Sequence, residues 1–133
     1  MSRMNISEVA AKYDMTAATI RYYEKQGLMP PVTRNAAGVR DFQEEDLNWV
    51  EFIKCMKDFG LSIDSLSRYS ELYQIGDSTL IERKEILTKE YQKLLKKQEQ
   101  INRTVAKLEW KLDFYDEKIA STTVESSGEK EVM

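Results

Sequence analysis

The chain of 133 residues contains no histidine and a single cysteine, Cys55. Zinc, copper and mercury sites are assembled from several Cys or His ligands, and one soft ligand per chain does not make one. Ser-His-Asp and Cys-His catalysis fall with the missing imidazole. A lone thiol excludes an intrachain disulfide. No apolar run approaches the ~18 residues that a membrane-spanning helix requires. The opening residues Met1 to Glu8 lack the apolar core of a secretory signal, so a cytoplasmic location is expected. No paired carboxylates, phosphate loop or nucleophile–base pair stand out. These absences point to a binding protein, with no enzyme activity, no metal, no cofactor and no membrane partner expected.

What is present is helix-friendly. The composition is 41% hydrophobic and 32% charged, with mean hydropathy −0.57. The net charge of −3, taken alone, argues against a nucleic-acid partner. Its distribution does not. Residues 1–40 sum to +3, residues 41–75 to −5, and residues 76–133 to −1. A local basic face is what phosphate contact requires, and the whole-chain sum conceals it.

Both prolines are adjacent, at Pro30-Pro31, and mark one firm break. Glycines 27, 38, 60 and 76 punctuate the rest. A first helix is read from Ile6 to Tyr13. Thr16 is an N-cap for a second that ends near Gln26, with Gly27 just past its end. Val32 to Arg34 and Val39 to Phe42 flank Asn35-Ala36-Ala37-Gly38, a short hairpin signal. A third helix is expected from Glu44 to Phe59, stopped by Gly60. Ser62 caps a fourth, from Ile63 to Gln74, stopped by Gly76.

The last stretch has another period. Leu80, Leu87, Leu94, Ile101, Leu108 and Tyr115 recur every seven residues. Tyr91, Gln98, Val105, Leu112 and Ile119 recur in the companion register. These are the core positions of a heptad repeat. From Leu80 to Ile119 such a helix would span about 60 Å at ~1.5 Å per residue. A domain of this size cannot bury that stripe alone, so a second copy is the expected partner. The polar Gln98 is placed to fix register. Residues 121–133 have no periodicity and are expected to be a disordered tail.

The first two helices and the tight Asp14-Met15 turn make a helix-turn-helix. Thr16, Ala17 and Thr19 give small side chains at the start of its second helix, where close approach to a groove is needed. Arg21, Tyr22 and Tyr23 offer a cation and phenols for phosphates. Adjacent residues cannot share a helix face, so one tyrosine is expected to pack inward.

Thr19-Ile20-Arg21-Tyr22-Tyr23-Glu24-Lys25-Gln26-Gly27-Leu28-Met29-Pro30-Pro31, followed by Arg34, Gly38, Val39-Arg40 and Phe42, closely resembles the signature of MerR-family transcription regulators. The resemblance covers Met4 to about Gln74 by motif and continues to Ile119 by architecture. It implies a mainly α fold: a winged helix-turn-helix DNA-binding domain at 4–75, then a long antiparallel coiled-coil dimerisation helix at 77–120. It also implies a homodimer on near-palindromic double-stranded promoter DNA. That dimer distorts the promoter so that RNA polymerase can read it. By the family pattern Thr16, Ala17, Thr19, Arg21, Tyr22 and Tyr23 lie on the recognition helix. Arg34 and Arg40 belong to the wing.

Metal-sensing members of that family use several cysteines near the dimer helix, and multidrug-sensing members append a large ligand domain. This chain has no cysteine after Cys55, and 14 residues follow Ile119. Trp49-Val50-Glu51-Phe52-Ile53-Lys54-Cys55-Met56 resembles the aldehyde- and thiol-stress-responsive branch of AdhR- and NmlR-like regulators, which makes Cys55 the expected effector-sensing residue. Its helical neighbours are two carboxylates and two aromatic rings, Glu51, Phe52, Asp58 and Phe59. Cysteine also packs as a small hydrophobe, which would make Cys55 structural. Two alternatives stand beside the thiol switch. One is a non-covalent effector in a pocket beside the coiled coil, between the third and fourth helices and the partner's long helix, lined by Trp49, Tyr69, Tyr73 and Trp110. The other is a coiled-coil adaptor with a degenerate helix-turn-helix.

Overall fold

The computed structural model describes residues 4–125, with side chains to residue 122. Five α-helices follow one another: α1 (Ile6–Lys12), α2 (Ala17–Lys25), α3 (Glu44–Asp58), α4 (Ile63–Ile75) and α5 (Leu80–Glu125). A 3-10 turn at Asp77–Thr79 joins α4 to α5.

Local chemistry accounts for most boundaries. Asn5 and Glu8 close a reciprocal capping box: Asn5 Oδ1 accepts from the Glu8 N–H and Glu8 Oε1 from the Asn5 N–H, both at 2.9 Å. Thr16 and Ser62 cap α2 and α4 as their sequence positions indicate, each accepting from the backbone N–H three residues on. The helix α2 ends in a Schellman motif. Gly27 takes φ +72°, and the Leu28 N–H reaches the Tyr23 carbonyl at 3.0 Å. The end of α3 repeats it, with Gly60 left-handed and the Leu61 N–H on the Met56 carbonyl. Asp14, between α1 and α2, is the one non-glycine at positive φ among the described residues.

The expected hairpin contracts to isolated bridges. Arg34 pairs with Arg40, and Met4 pairs with Phe42. The turn is held by Asn35, whose Oδ1 accepts from the N–H groups of Ala37 and Val39. Phe42 exchanges both backbone hydrogen bonds with Met4, so the residues before α1 serve as the second arm's neighbour. No longer strand forms among the described residues.

The chain divides into two units after Leu94. In the first, Val9 and Ala10 of α1 meet Ile20 and Tyr23 of α2, Leu47, Val50 and Ile53 of α3, and Leu66 of α4. Leu28, Met29, Val32 and Phe42 complete this core. Burying one such side chain fully is worth about 1.5–3 kcal/mol.

The start of α5 belongs to this first unit. The Thr79 hydroxyl lies 2.7 Å from the carbonyls of both Leu72 and Gly76, and Arg83 Nε donates to Thr79 Oγ1 at 3.1 Å. Glu90 is buried, and its carboxylate accepts from the Ser62 N–H and the Ser65 hydroxyl at the start of α4 and from Lys93. Burial would raise the Glu90 pKa, but Lys93, then the Ser62 and Ser65 hydrogen bonds, bring it below the usual carboxyl value. These ties hold the start of α5 within the first unit, which runs to Leu94.

The second unit, described over residues 95–125, is the rest of α5. It contains no proline or glycine to break it. Its heptad residues Ile101, Val105, Leu108, Leu112 and Ile119 stand exposed on the single chain. The helix continues through Glu125, five residues past Ala120. The remainder of the expected tail, 126–133, lies outside the described residues.

Candidate nucleic-acid interface

The N-terminus of α2 presents a small polar edge. Thr16 is exposed, Ala17 and Thr19 are half-buried, and the Thr16 and Thr19 hydroxyls are 2.8 Å apart. One turn on, Arg21 is exposed and Tyr22 retains 43% of its surface. Tyr23 does not join them. It is 3% exposed and packs in the core with Ile20 and Val9. Desolvation, then the nearby Asp58 carboxylate, raises its phenol pKa against an opposing effect of Lys54. The expectation that Tyr23 contacts DNA is therefore corrected. The helical period turns it inward, and its neighbour Tyr22 is the phenol left outside.

The wing carries its arginines differently from one another. Arg34 is exposed, and its Nη1 donates to the Gly38 carbonyl at 3.0 Å. Arg40 is half-buried, with Nε donating to Glu24 Oε1 at 2.8 Å. The other Glu24 oxygen accepts from the Val32 N–H at 2.7 Å, and Arg34 Nη2 lies 3.9 Å from Oε1. Burial alone would raise the Glu24 pKa. The Arg40 hydrogen bond, then that of Val32, then the charges of Arg40 and Arg34 outweigh it and hold the carboxyl below its ordinary value. Glu24 thus ties the end of α2 to both arms of the wing. Arg40, expected at the DNA surface, is committed to this tie and orients the wing. Arg34 is the more open guanidinium.

Cys55 is exposed near the end of α3. Lys54, beside it, is paired with Asp58 at 3.0 Å. Lys57 reaches the other way. Its ammonium lies 5.5 Å from the Tyr22 ring centroid and 5.6 Å from that of Tyr23. The segment that carries the thiol is therefore joined directly to α2.

A second feature lies on the outer side of α3 and α4. Trp49 meets Tyr69 at 5.6 Å and Tyr73 at 5.2 Å between centroids, and Phe52 meets Tyr69 at 5.8 Å. Trp110 of the same chain belongs to the second unit and stacks on Phe114 at 6.1 Å.

Residues 4–72 match the family described as MerR HTH family regulatory protein. The chain belongs to the MerR family. It is 53% identical over 92 residues to the HTH-type transcriptional regulator AdhR of Bacillus subtilis, a match covering 69% of this chain and 66% of that relative. Its fold is similar to a crystal structure described as that of a MerR family transcriptional regulator from Listeria monocytogenes. The TM-score is 0.81 at 39% identity, covering 93% of this chain and 99% of that one. It is also similar to HiNmlR, described as a MerR family regulator lacking the sensor domain, bound to promoter DNA. There the TM-score is 0.77 at 32% identity, over 90% of this chain and 94% of that one.

As a MerR-type protein the chain is a DNA-binding transcription regulator, and its named relatives are regulators rather than enzymes. No helix among the described residues is long and apolar enough to cross a membrane. Two residues that organise this region escape sequence reasoning: Glu24, which ties α2 to the wing, and Lys57, which lies over Tyr22 and Tyr23. Neither carries a local signal, whereas the Asn35 turn is legible as an Asn at the head of a four-residue turn ending in glycine.

Proposed function

We propose that this MerR regulator binds a near-palindromic promoter operator as a homodimer and distorts it to control transcription by RNA polymerase, in response to aldehydes or other electrophiles at Cys55. The recognition edge is Thr16, Ala17, Thr19, Arg21 and Tyr22, with Arg34 on the wing following the backbone. Phosphate contacts of this kind set affinity and register. The exposed heptad stripe supports dimerisation through an antiparallel coiled coil of Leu80, Leu87, Tyr91, Leu94, Gln98, Ile101, Val105, Leu108, Leu112, Tyr115 and Ile119. The likeness to AdhR and to HiNmlR supports the regulatory class.

The observation that carries the sensing step is the position of Cys55. It is the chain's sole thiol, it is exposed, and it lies two residues before the lysine that covers the recognition-helix tyrosines. The thiolate adds to the aldehyde carbon, forming a C–S bond. The carbonyl π pair moves to oxygen, which takes a proton, and the product is a hemithioacetal. An adduct there crowds the end of α3 and shifts Lys57 against Tyr22.

Intact-protein mass spectrometry after exposure to an aldehyde panel, with promoter footprinting of the same samples, tests this. A mass increment at Cys55 with an altered footprint, both absent in Cys55→Ser, is the expected result. An unreactive Cys55 beside intact DNA binding overturns the sensing step and leaves the DNA-binding reading standing.

A further inference from the structure

Glu45, Asn48, Trp49, Phe52, Tyr69 and Tyr73 line an open cavity of about 260 Å³ between α3 and α4. Its volume lies just below the range of ordinary small-molecule sites, so it suits a compact guest. Four of the six lining side chains are aromatic. Their rings are tilted or edge-on to one another, with interplanar angles of 44° to 85°, so they form walls in several directions rather than one stack. The only charge in the lining is negative: the Glu45 carboxylate, fixed by a 2.5 Å hydrogen bond from the Tyr73 hydroxyl to Oε1. No basic side chain lines the cavity.

Ring faces carry negative potential and attract cations, and a carboxylate at the rim adds a full charge of the same sign. One of these rings already holds a cation. The Arg83 guanidinium carbon lies 5.4 Å from the Tyr73 centroid. A hydrophobic anion would meet repulsion from both the rings and Glu45. A neutral apolar guest would leave the charge unused.

We propose that this cavity is a binding site for a small organic ammonium ion, held by the faces of Trp49, Phe52 and Tyr69 and by the Glu45 carboxylate. It is separate from the thiol of Cys55 and does not depend on that reading. Phe52, which lines it, is one helical turn before Cys55, so occupancy stiffens the same stretch of α3 that reaches the recognition helix through Lys57.

The probe is choline chloride, and the control is its neutral isostere 3,3-dimethylbutan-1-ol, with sodium chloride at matched ionic strength. Indole fluorescence is read in a Trp110→Phe background, which leaves Trp49 as the reporter. A saturable change with choline, absent with the isostere and with salt, is expected. Glu45→Gln should weaken it by about fivefold or more. Glu45 is exposed in the first turn of α3, so the exchange leaves the core intact. Phe52→Leu, which keeps bulk and removes one ring face, should weaken it as well. Tyr73→Phe keeps the ring and releases Glu45, so affinity should hold or rise, and Cys55→Ser should bind choline unchanged. Absence of saturation, an equal response to the isostere, or full affinity in Glu45→Gln would each overturn the site.

Discussion

Glu24 offers the sharpest test of how the wing is held. Replacing it with alanine removes the acceptor for Arg40 Nε at 2.8 Å and for the Val32 N–H at 2.7 Å. It also leaves a guanidinium whose side chain is 24% exposed without its carboxylate. Hydrogen bonds to a charged group contribute about 1.5–3 kcal/mol each. Breaking a fully buried pair costs about 3–5 kcal/mol. Both partners retain some exposure to solvent, so a loss of about 2–3 kcal/mol is expected for Glu24→Ala at pH 7. A double-mutant cycle with Arg40→Ala should return a coupling of about 1–2 kcal/mol.

The sign of the pH dependence follows from the lowered pKa. A carboxyl held below its unfolded value of ~4.3 contributes fully above that pH, and the contribution fades as pH falls through the folded value. Urea unfolding of the wild type, Glu24→Ala and Glu24→Gln at neutral and acid pH measures this. The gap between wild type and Glu24→Gln should narrow on acidification. A loss below about 0.5 kcal/mol at pH 7, an absent coupling, or a gap that widens in acid would refute the clamp.

Two further outcomes are expected. Arg21→Ala removes an exposed cation from the recognition helix, so operator affinity should fall about tenfold, and the slope of log K against log salt should flatten by roughly 0.9 for each phosphate that Arg21 neutralises. Fluorescence anisotropy across a salt series reads both, and an unchanged slope would remove Arg21 from the interface. Leu108→Asp puts a charge in the middle of the exposed heptad stripe, and light scattering should then show a monomer that binds the operator weakly, whereas a persisting dimer would place the interface elsewhere.

The elements legible in the sequence are those specified by neighbours in the chain. Thr16 and Ser62 satisfy N–H groups three residues away, and Gly27 and Gly60 adopt a left-handed conformation that other residues avoid. The MerR motif and the heptad period are likewise properties of local spacing. The hairpin reads too long from sequence for a related reason. Its turn is specified locally by Asn35 and Gly38, but the length of pairing depends on what the arms pack against, and one bridge suffices when Glu24 and Met4 hold the arms.

The rest needed the folded chain. Adjacency alone allows either Tyr22 or Tyr23 to face inward, and Tyr23 is the one that shares the buried face of α2 with Ile20, packed in the core with Val9. Glu24 finds Arg40 from 16 residues away, and Glu90 caps α4 from 28 residues away. No local pattern encodes such pairs, because charged side chains on a helix surface look alike until the packing of the core decides which of them lose water together. Trp49, Tyr69 and Tyr73 converge for the same reason, while Trp110 stands with Phe114 on another unit. Sequence alone determined that this is a helical MerR regulator with a helix-turn-helix and a heptad stripe. Tertiary structure decided which arginine is open to a phosphate, which is held by Glu24, and where the aromatic cavity opens, since burial and electrostatic pairing act through space rather than along the chain.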